Sequence, residues 1–169
     1  MTKHYWLLKT EADAFSIDDL ARIKKEPWSG VRNFVARNNL RAMTVGDLCF
    51  IYHTGNEKAV VGLGKVASKP YPDPTQFDPP APRLRRTGKK SPYFDPKSNK
   101  EKPLWTLVDI AFVEKFKNAV TLSEMKIDPA LSGMILLCVP RLSVQPVSEK
   151  HFNHIVELAQ YMHRLDSRA

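Results

Sequence analysis

Nine of the thirteen prolines fall between residues 70 and 103. Proline has no amide donor and a fixed φ, so it is excluded from helix interiors and from central strands. The stretch reads as one long loop dividing two regions of regular patterning, and loops of that length in compact proteins tend to carry function. It also holds most of the charge. Between Arg83 and Lys102 there are eight basic residues (Arg83, Arg85, Arg86, Lys89, Lys90, Lys97, Lys100, Lys102) and two acids, a net +6 out of +8 for the whole chain. Such a balance favours partners that bear phosphates, although a solvated loop has the same composition. Arg83, Arg85, Arg86, Lys89 and Lys90, together with Arg37, are the candidate phosphate contacts.

A chain of 169 residues suits one domain with one sizeable core, so residues 1–169 are expected to form a single unit. YWLLK (5–9) is rich in strand formers but alternates poorly, as a buried strand does. Ser16 opens a helix that Asp18 and Asp19 suit and that ends before Pro27. A second helix runs from Asn33 or Phe34 to Met43, with Phe34, Leu40 and Met43 facing the core. LCFIYHT (48–54) and AVVGLGKVA (59–67) are strands either side of a Gly55-Asn56 turn. Gly62 and Gly64 leave a stripe without side chains along one face of the second strand. WTLVDIAFVEKF (105–116) is a long strand. Thr121 and Glu124 make a capping box for a short helix. ILLCV (135–139) is a buried strand or helix, RLSVQPVS (141–148) a strand ending at Pro146, and residues 148–165 an amphipathic helix. No βαβ alternation appears, so the pattern predicts an α+β fold on a mixed, strongly curved sheet or barrel.

Catalytic signatures are scarce. GLGK (62–65) lacks the spacing of a phosphate loop, and neither G-x-S-x-G nor H-E-x-x-H occurs. His151 and His154 alone make a weak metal proposal, so no metal, cofactor or catalytic residue is assigned. Cys49 and Cys138 both lie in apolar runs and read as buried thiols. No apolar run is long enough to cross a membrane, and the N-terminus is too polar for a signal peptide. Glu11 and Asp13 follow a strand, where carboxylates act as caps more often than as acids and bases.

WSGVRNFVAR (28–37) is the most suggestive stretch. Trp28 offers a stacking face, Gly30 lets a ligand come close, and Arg32 and Asn33 carry forked hydrogen-bonding groups. Such residues form a pocket for a flat heterocycle, and they also form buried structural corners.

KTEADAFSIDDL, WSGVRNFVARNNLRAM, VGDLCFIYHT, VVGLGKV, YPDPTQFD, PLWTLVDIAFV and RLSVQPVS occur in one order, and that series resembles the EVE domain, including the thymocyte nuclear protein family, from about Tyr5 to Leu158. One departure is Lys9-Thr10-Glu11-Ala12, where the usual pattern reads Lys-Ser-Glu-Pro. The resemblance implies a PUA-like fold, a curved mixed β-sheet or near-barrel flanked by helices, related to YTH domains. It further implies a nucleic-acid partner, DNA or RNA, with a modified base as the thing read. The base pocket is then expected at Trp28, Ser29, Gly30, Val31, Arg32 and Asn33, with Lys9, Thr10, Glu11, Tyr52 and His53. Two alternatives stay open: an enzyme acting on a nucleotide in the same cleft, with Glu11 or His53 as acid-base group, and an adaptor binding through the basic loop. A monomer without a membrane segment is expected, intracellular, and nuclear in a eukaryote.

Overall fold

The computed structural model describes residues 3–77 and 93–168, with side chains as far as residue 160. The candidate phosphate contacts Arg83, Arg85, Arg86, Lys89 and Lys90 lie outside the described residues, as does the side chain of Met162.

Strand β1 (Tyr5–Glu11) runs parallel to β3 (Leu48–Thr54), with Tyr5 opposite Leu48 and Glu11 opposite Thr54. A parallel pair needs a crossover. Here the intervening chain supplies helix α1 (Ile17–Ile23), the short strand β2 (Lys25–Pro27) and helix α2 (Phe34–Ala42). The other pairings are antiparallel. β4 (Ala59–Val66) joins β3 to β7 (Asp109–Thr121), β2 pairs with the far side of β7, and β8 (Val144–Val147) pairs with β1. The six-stranded order is β2-β7-β4-β3-β1-β8. Register shifts interrupt the β3–β4 and β4–β7 ladders, and bulges of this kind add twist and bend. The result is a curled mixed sheet, a half-barrel with flanking helices, as the sequence pattern predicts. A separate two-stranded ribbon pairs β5 (Tyr71–Pro72) with β6 (Thr106–Leu107).

Both faces of the sheet are covered. Trp6, Leu8, Ile51 and Val61 pack with Leu20, Trp28 and Leu40 on one side. Tyr5, Leu7, Phe50 and Val60 pack with Met125, Phe152 and Ile155 on the other, where Phe152 stacks on both Tyr5 and Phe50. YWLLK alternates poorly because each of its first four residues is buried against one core or the other.

Several local expectations change. Phe34 is 54% exposed rather than core. Asn33 caps α2, and the inward face is Ala36, Leu40 and Met43; Phe34 lies about 200° round the axis from Ala36. The ring stacks instead on Trp105, at 4.9 Å between centroids. ILLCV contains a one-turn helix, Ile135–Cys138, whose Leu136 is buried while Cys138, two residues on, is exposed. Only Cys49 is a buried thiol, and burial pushes its pKa up. Pro146 lies within β8, not at its end; β8 is an edge strand, where a missing amide is tolerated. The glycine stripe of β4 serves the fold itself. A Cβ at Gly62 would strike the Glu114 carbonyl and Ile17, and one at Gly64 would lie 2.6 Å from Ile110 Cγ2.

Candidate functional site

A cavity of about 620 Å³ opens where the C-terminal end of β1 meets β2. Thr10, Glu11, Ala14 and Phe15 form one side, Glu26, Pro27, Trp28 and Ser29 another, and Lys9, Gly30, Val31, Arg32, Tyr93 and Ser143 complete it. The turn after β1 is closed by local bonds. The amides of Ala14 and Phe15 donate to the Glu11 carbonyl, and the Thr10 hydroxyl donates to the Phe15 carbonyl at 2.8 Å. The turn therefore closes without the proline that Ala12 replaces. It sets Phe15 edge-on to Trp28, with centroids 6.0 Å apart and planes at 84°. Trp28 is held from behind: its amide donates to the Val108 carbonyl, extending the β2–β7 pairing, and only 7% of the residue is exposed. Two aromatic rings at right angles thus make a corner in the cavity wall.

The opposite wall is organised by Asp73, which the sequence reading did not single out. Its side chain is fully buried. One carboxylate oxygen accepts from the Gly30 amide at 2.8 Å and from the Arg32 guanidinium at 3.1 Å; the other accepts from the Thr75 amide and hydroxyl. Burial alone would raise the Asp73 pKa, but the bonds from Thr75, Gly30 and Arg32 prevail and hold it below the usual carboxylate value. Arg32 also donates to the Tyr93 carbonyl at 2.7 Å and to the Thr75 hydroxyl at 3.0 Å. Tyr93 lies against Gly30, whose φ of +86° is a glycine conformation; a Cβ there would come within 2.7 Å of the tyrosine ring. Gly30 and Arg32, both expected in the pocket, also form a clamp that fastens Asp73, Thr75 and Tyr93 of the proline-rich segment beside the cavity. Gln76 strengthens the same junction by bonding the Asp73 and Trp105 carbonyls, the Trp105 amide and the Ser98 hydroxyl.

Of the eleven residues expected in the pocket, eight line the cavity: Lys9, Thr10, Glu11, Trp28, Ser29, Gly30, Val31 and Arg32. Three do not. The Asn33 side chain accepts the Ala36 amide as the cap of α2. Tyr52 is 4% exposed in the second core, beneath the Lys9 ammonium. His53 is also 4% exposed; its Nε2 accepts the Ile17 amide at 3.0 Å and its Nδ1 meets Glu57 at 2.7 Å, so it fastens the start of α1. Arg37, expected at phosphates, donates to the Leu104 carbonyl and to Asn38 and lies over the Phe34 ring. Phe15 and Glu26 join the site from beside Glu11 and Trp28, and Tyr93 and Ser143 from distant parts of the chain. Lys9 donates to the Pro140 carbonyl, and partial burial lowers its pKa. Glu26 shifts the other way, raised by burial and by the charge of Asp109. No group of three or more metal-ligating side chains comes together among the described residues.

This geometry defines a class: a PUA-like half-barrel with an aromatic-walled cavity at the end of its parallel strand pair. A protein described as ASCH from Zymomonas mobilis has the same fold at a TM-score of 0.53, with 13% identity over 91% of this chain and 94% of that one. The EVE domain model matches residues 4–158, and the chain belongs to the EVE domain family. Thymocyte nuclear protein 1 from Gallus gallus is 37% identical over 95% of this chain and 70% of the relative, and the Homo sapiens protein is 35% identical over 92% and 74%. A hypothetical protein from Leishmania major superposes at a TM-score of 0.85, with 44% identity over 96% of this chain and 98% of its own. Human THYN1, solved in complex with DNA containing 5-methylcytosine, superposes at 0.82, with 33% identity over 93% of this chain and 98% of its own.

Proposed function

We propose that this protein is a nucleic-acid-binding module whose cavity receives an unstacked base, with a modified pyrimidine as its preferred occupant. The observation that carries the reading is the right-angled corner of Trp28 and Phe15 in the cavity wall. The human relative's complex with 5-methylcytosine DNA supports it. Taking a base out of its stack costs a few kcal/mol, and stacking on one aromatic returns about 1–3 kcal/mol. Trp28 alone roughly balances that cost, so Phe15 and the polar groups at the base edge decide selectivity. A methyl in an apolar pocket is worth about 1–3 kcal/mol, which sets discrimination between modified and plain bases at roughly tens-fold.

The basic run from Arg83 to Lys102 supplies the phosphate contacts in this reading, and binding weakens with salt in proportion to their number. The module acts as a monomer and a reader, not as a catalyst, and works in the nucleus of a eukaryotic cell, as the names of its curated relatives suggest.

Fluorescence anisotropy at fixed salt tests this with matched DNA and RNA probes, single- and double-stranded, with and without methylated or hydroxymethylated bases. One modified probe should bind tens-fold tighter than its plain partner. Trp28→Leu, which keeps an apolar side chain and removes the ring, should erase that preference while the salt dependence stays, with the melting temperature measured alongside to show that the variant folds. Equal affinity for every probe in the unaltered protein would refute the reading and leave the basic run as the binding determinant.

A further inference from the structure

Any reader of 5-methylcytosine meets a problem that stacking and methyl contact do not solve. Thymine carries the same methyl group on the same ring, and the two bases differ at the edge, where cytosine presents a 4-amino donor and thymine a 4-oxo acceptor. An aromatic floor accepts both. Selectivity needs an acceptor held close to that floor and not already occupied.

Most polar groups of the cavity are occupied. Arg32 is bonded to Asp73, Thr75 and Tyr93, and the Thr10 hydroxyl to the Phe15 carbonyl. Lys9 is a donor and is held at the Pro140 carbonyl. Among the described residues the Glu26 side chain is different: it is a carboxyl that lines the cavity, is half-buried, and makes no hydrogen bond or ion pair, whereas the half-buried Ser143 hydroxyl, also unpartnered, can donate as well as accept and so suits either base. Glu26 belongs to β2, opposite Ile110, and the amide of Trp28 continues the same ladder to Val108. Positions two apart on a strand share a face about 7 Å apart, so the Glu26 and Trp28 side chains leave the same face of this ladder. Glu11 also lines the cavity, but it is exposed at the end of β1.

We infer that Glu26 is the specificity-determining acceptor of the cavity, taking a hydrogen bond from the exocyclic amino group of a cytosine-type base and so excluding thymine. The inference rests on the reader function proposed above and names the edge contact that function requires. An unpartnered, half-buried carboxyl costs stability, and burial raises the Glu26 pKa; a ligand amine relieves that cost.

The test uses single-stranded DNA with one central 5-methylcytosine, thymine or 5-methylpyrimidin-2-one, the last having hydrogen in place of the amine. The unaltered protein should prefer 5-methylcytosine over both by roughly tenfold or more. Glu26→Gln, which keeps size and supplies a donor, should remove the preference over thymine and leave the Trp28-dependent preference for a methylated over a plain pyrimidine. If Glu26→Gln keeps the preference, or if Glu11→Gln alone removes it, the assignment is overturned while the reader function stands. If the unaltered protein does not separate 5-methylcytosine from the amine-free analogue, no group reads the amine; that result needs no variant to fold. Absence of any Trp28-dependent base preference overturns the reader function and the inference together.

Discussion

Asp73→Asn separates a clamp from a ligand reader. The carboxylate accepts four hydrogen bonds at two oxygens, from Gly30 and Arg32 on one side and from Thr75, twice, on the other. An amide in its place turns one acceptor into a donor. Aimed at Gly30 and Arg32, it would face two donors; aimed at Thr75, it can bond the rotated hydroxyl but leaves the Thr75 amide unsatisfied. The second arrangement is the milder. It loses one orphaned amide, worth about 1–3 kcal/mol, and the charge on the Arg32 bond, worth about 1.5–3 kcal/mol at most. Arg32 is 22% exposed, which screens the pair only partly. The expected loss is about 3 kcal/mol, or a fall in Tm of roughly 6–12 °C for a domain of this size. Calorimetry at neutral pH measures it, and a second scan series at acid pH checks the cause. The Asp73 pKa is depressed in the native state, so its stabilisation is complete above the ordinary carboxylate value of 3.8 and is lost as pH falls through the native value. The gap in Tm between the parent protein and Asp73→Asn should therefore hold at pH 7 and narrow below about pH 4. A fall of under 2 °C, or a gap that persists unchanged into acid, would refute the account of Asp73 as the charged centre of the clamp.

Gly30→Ala should cost about 1–2 kcal/mol for the left-handed backbone alone, and its Cβ should also displace the Tyr93 ring; a lowered melting temperature with weakened oligonucleotide binding is the expected pair of readings. His53→Leu should lower stability by about 1–3 kcal/mol, because the Ile17 amide loses its buried acceptor, and should leave affinity for nucleic acid unchanged; a stable variant that no longer binds would place His53 in the site after all.

The legible parts of the fold and site are local ones. Trp28, Ser29, Gly30 and Arg32 stand within five residues, and a large ring beside a glycine and a forked donor is visible in one window of sequence. The helix start at Ser16 and the capping box at Thr121 are read for the same reason, since each closes within one helical turn. Strand β2 escapes because three residues ending in proline carry no period, and only the far edge of β7 makes them a strand. Glu26 goes with it, since a charged residue before a proline looks like a linker until its partner strand fixes which way it points. Arg32 shows the harder difficulty. A guanidinium aimed at a ligand and one aimed at a buried carboxylate have identical sequences around them, and here the carboxylate lies 41 residues away. Asp73-Pro74-Thr75 reads locally as the start of a turn, which it is: Asp73 caps the 3₁₀ turn Pro74–Gln76 by accepting the Thr75 amide. The second carboxylate oxygen remains free for Gly30 and Arg32. One residue thus closes its own turn and fastens the proline-rich segment to the cavity wall, and only the second task depends on tertiary structure.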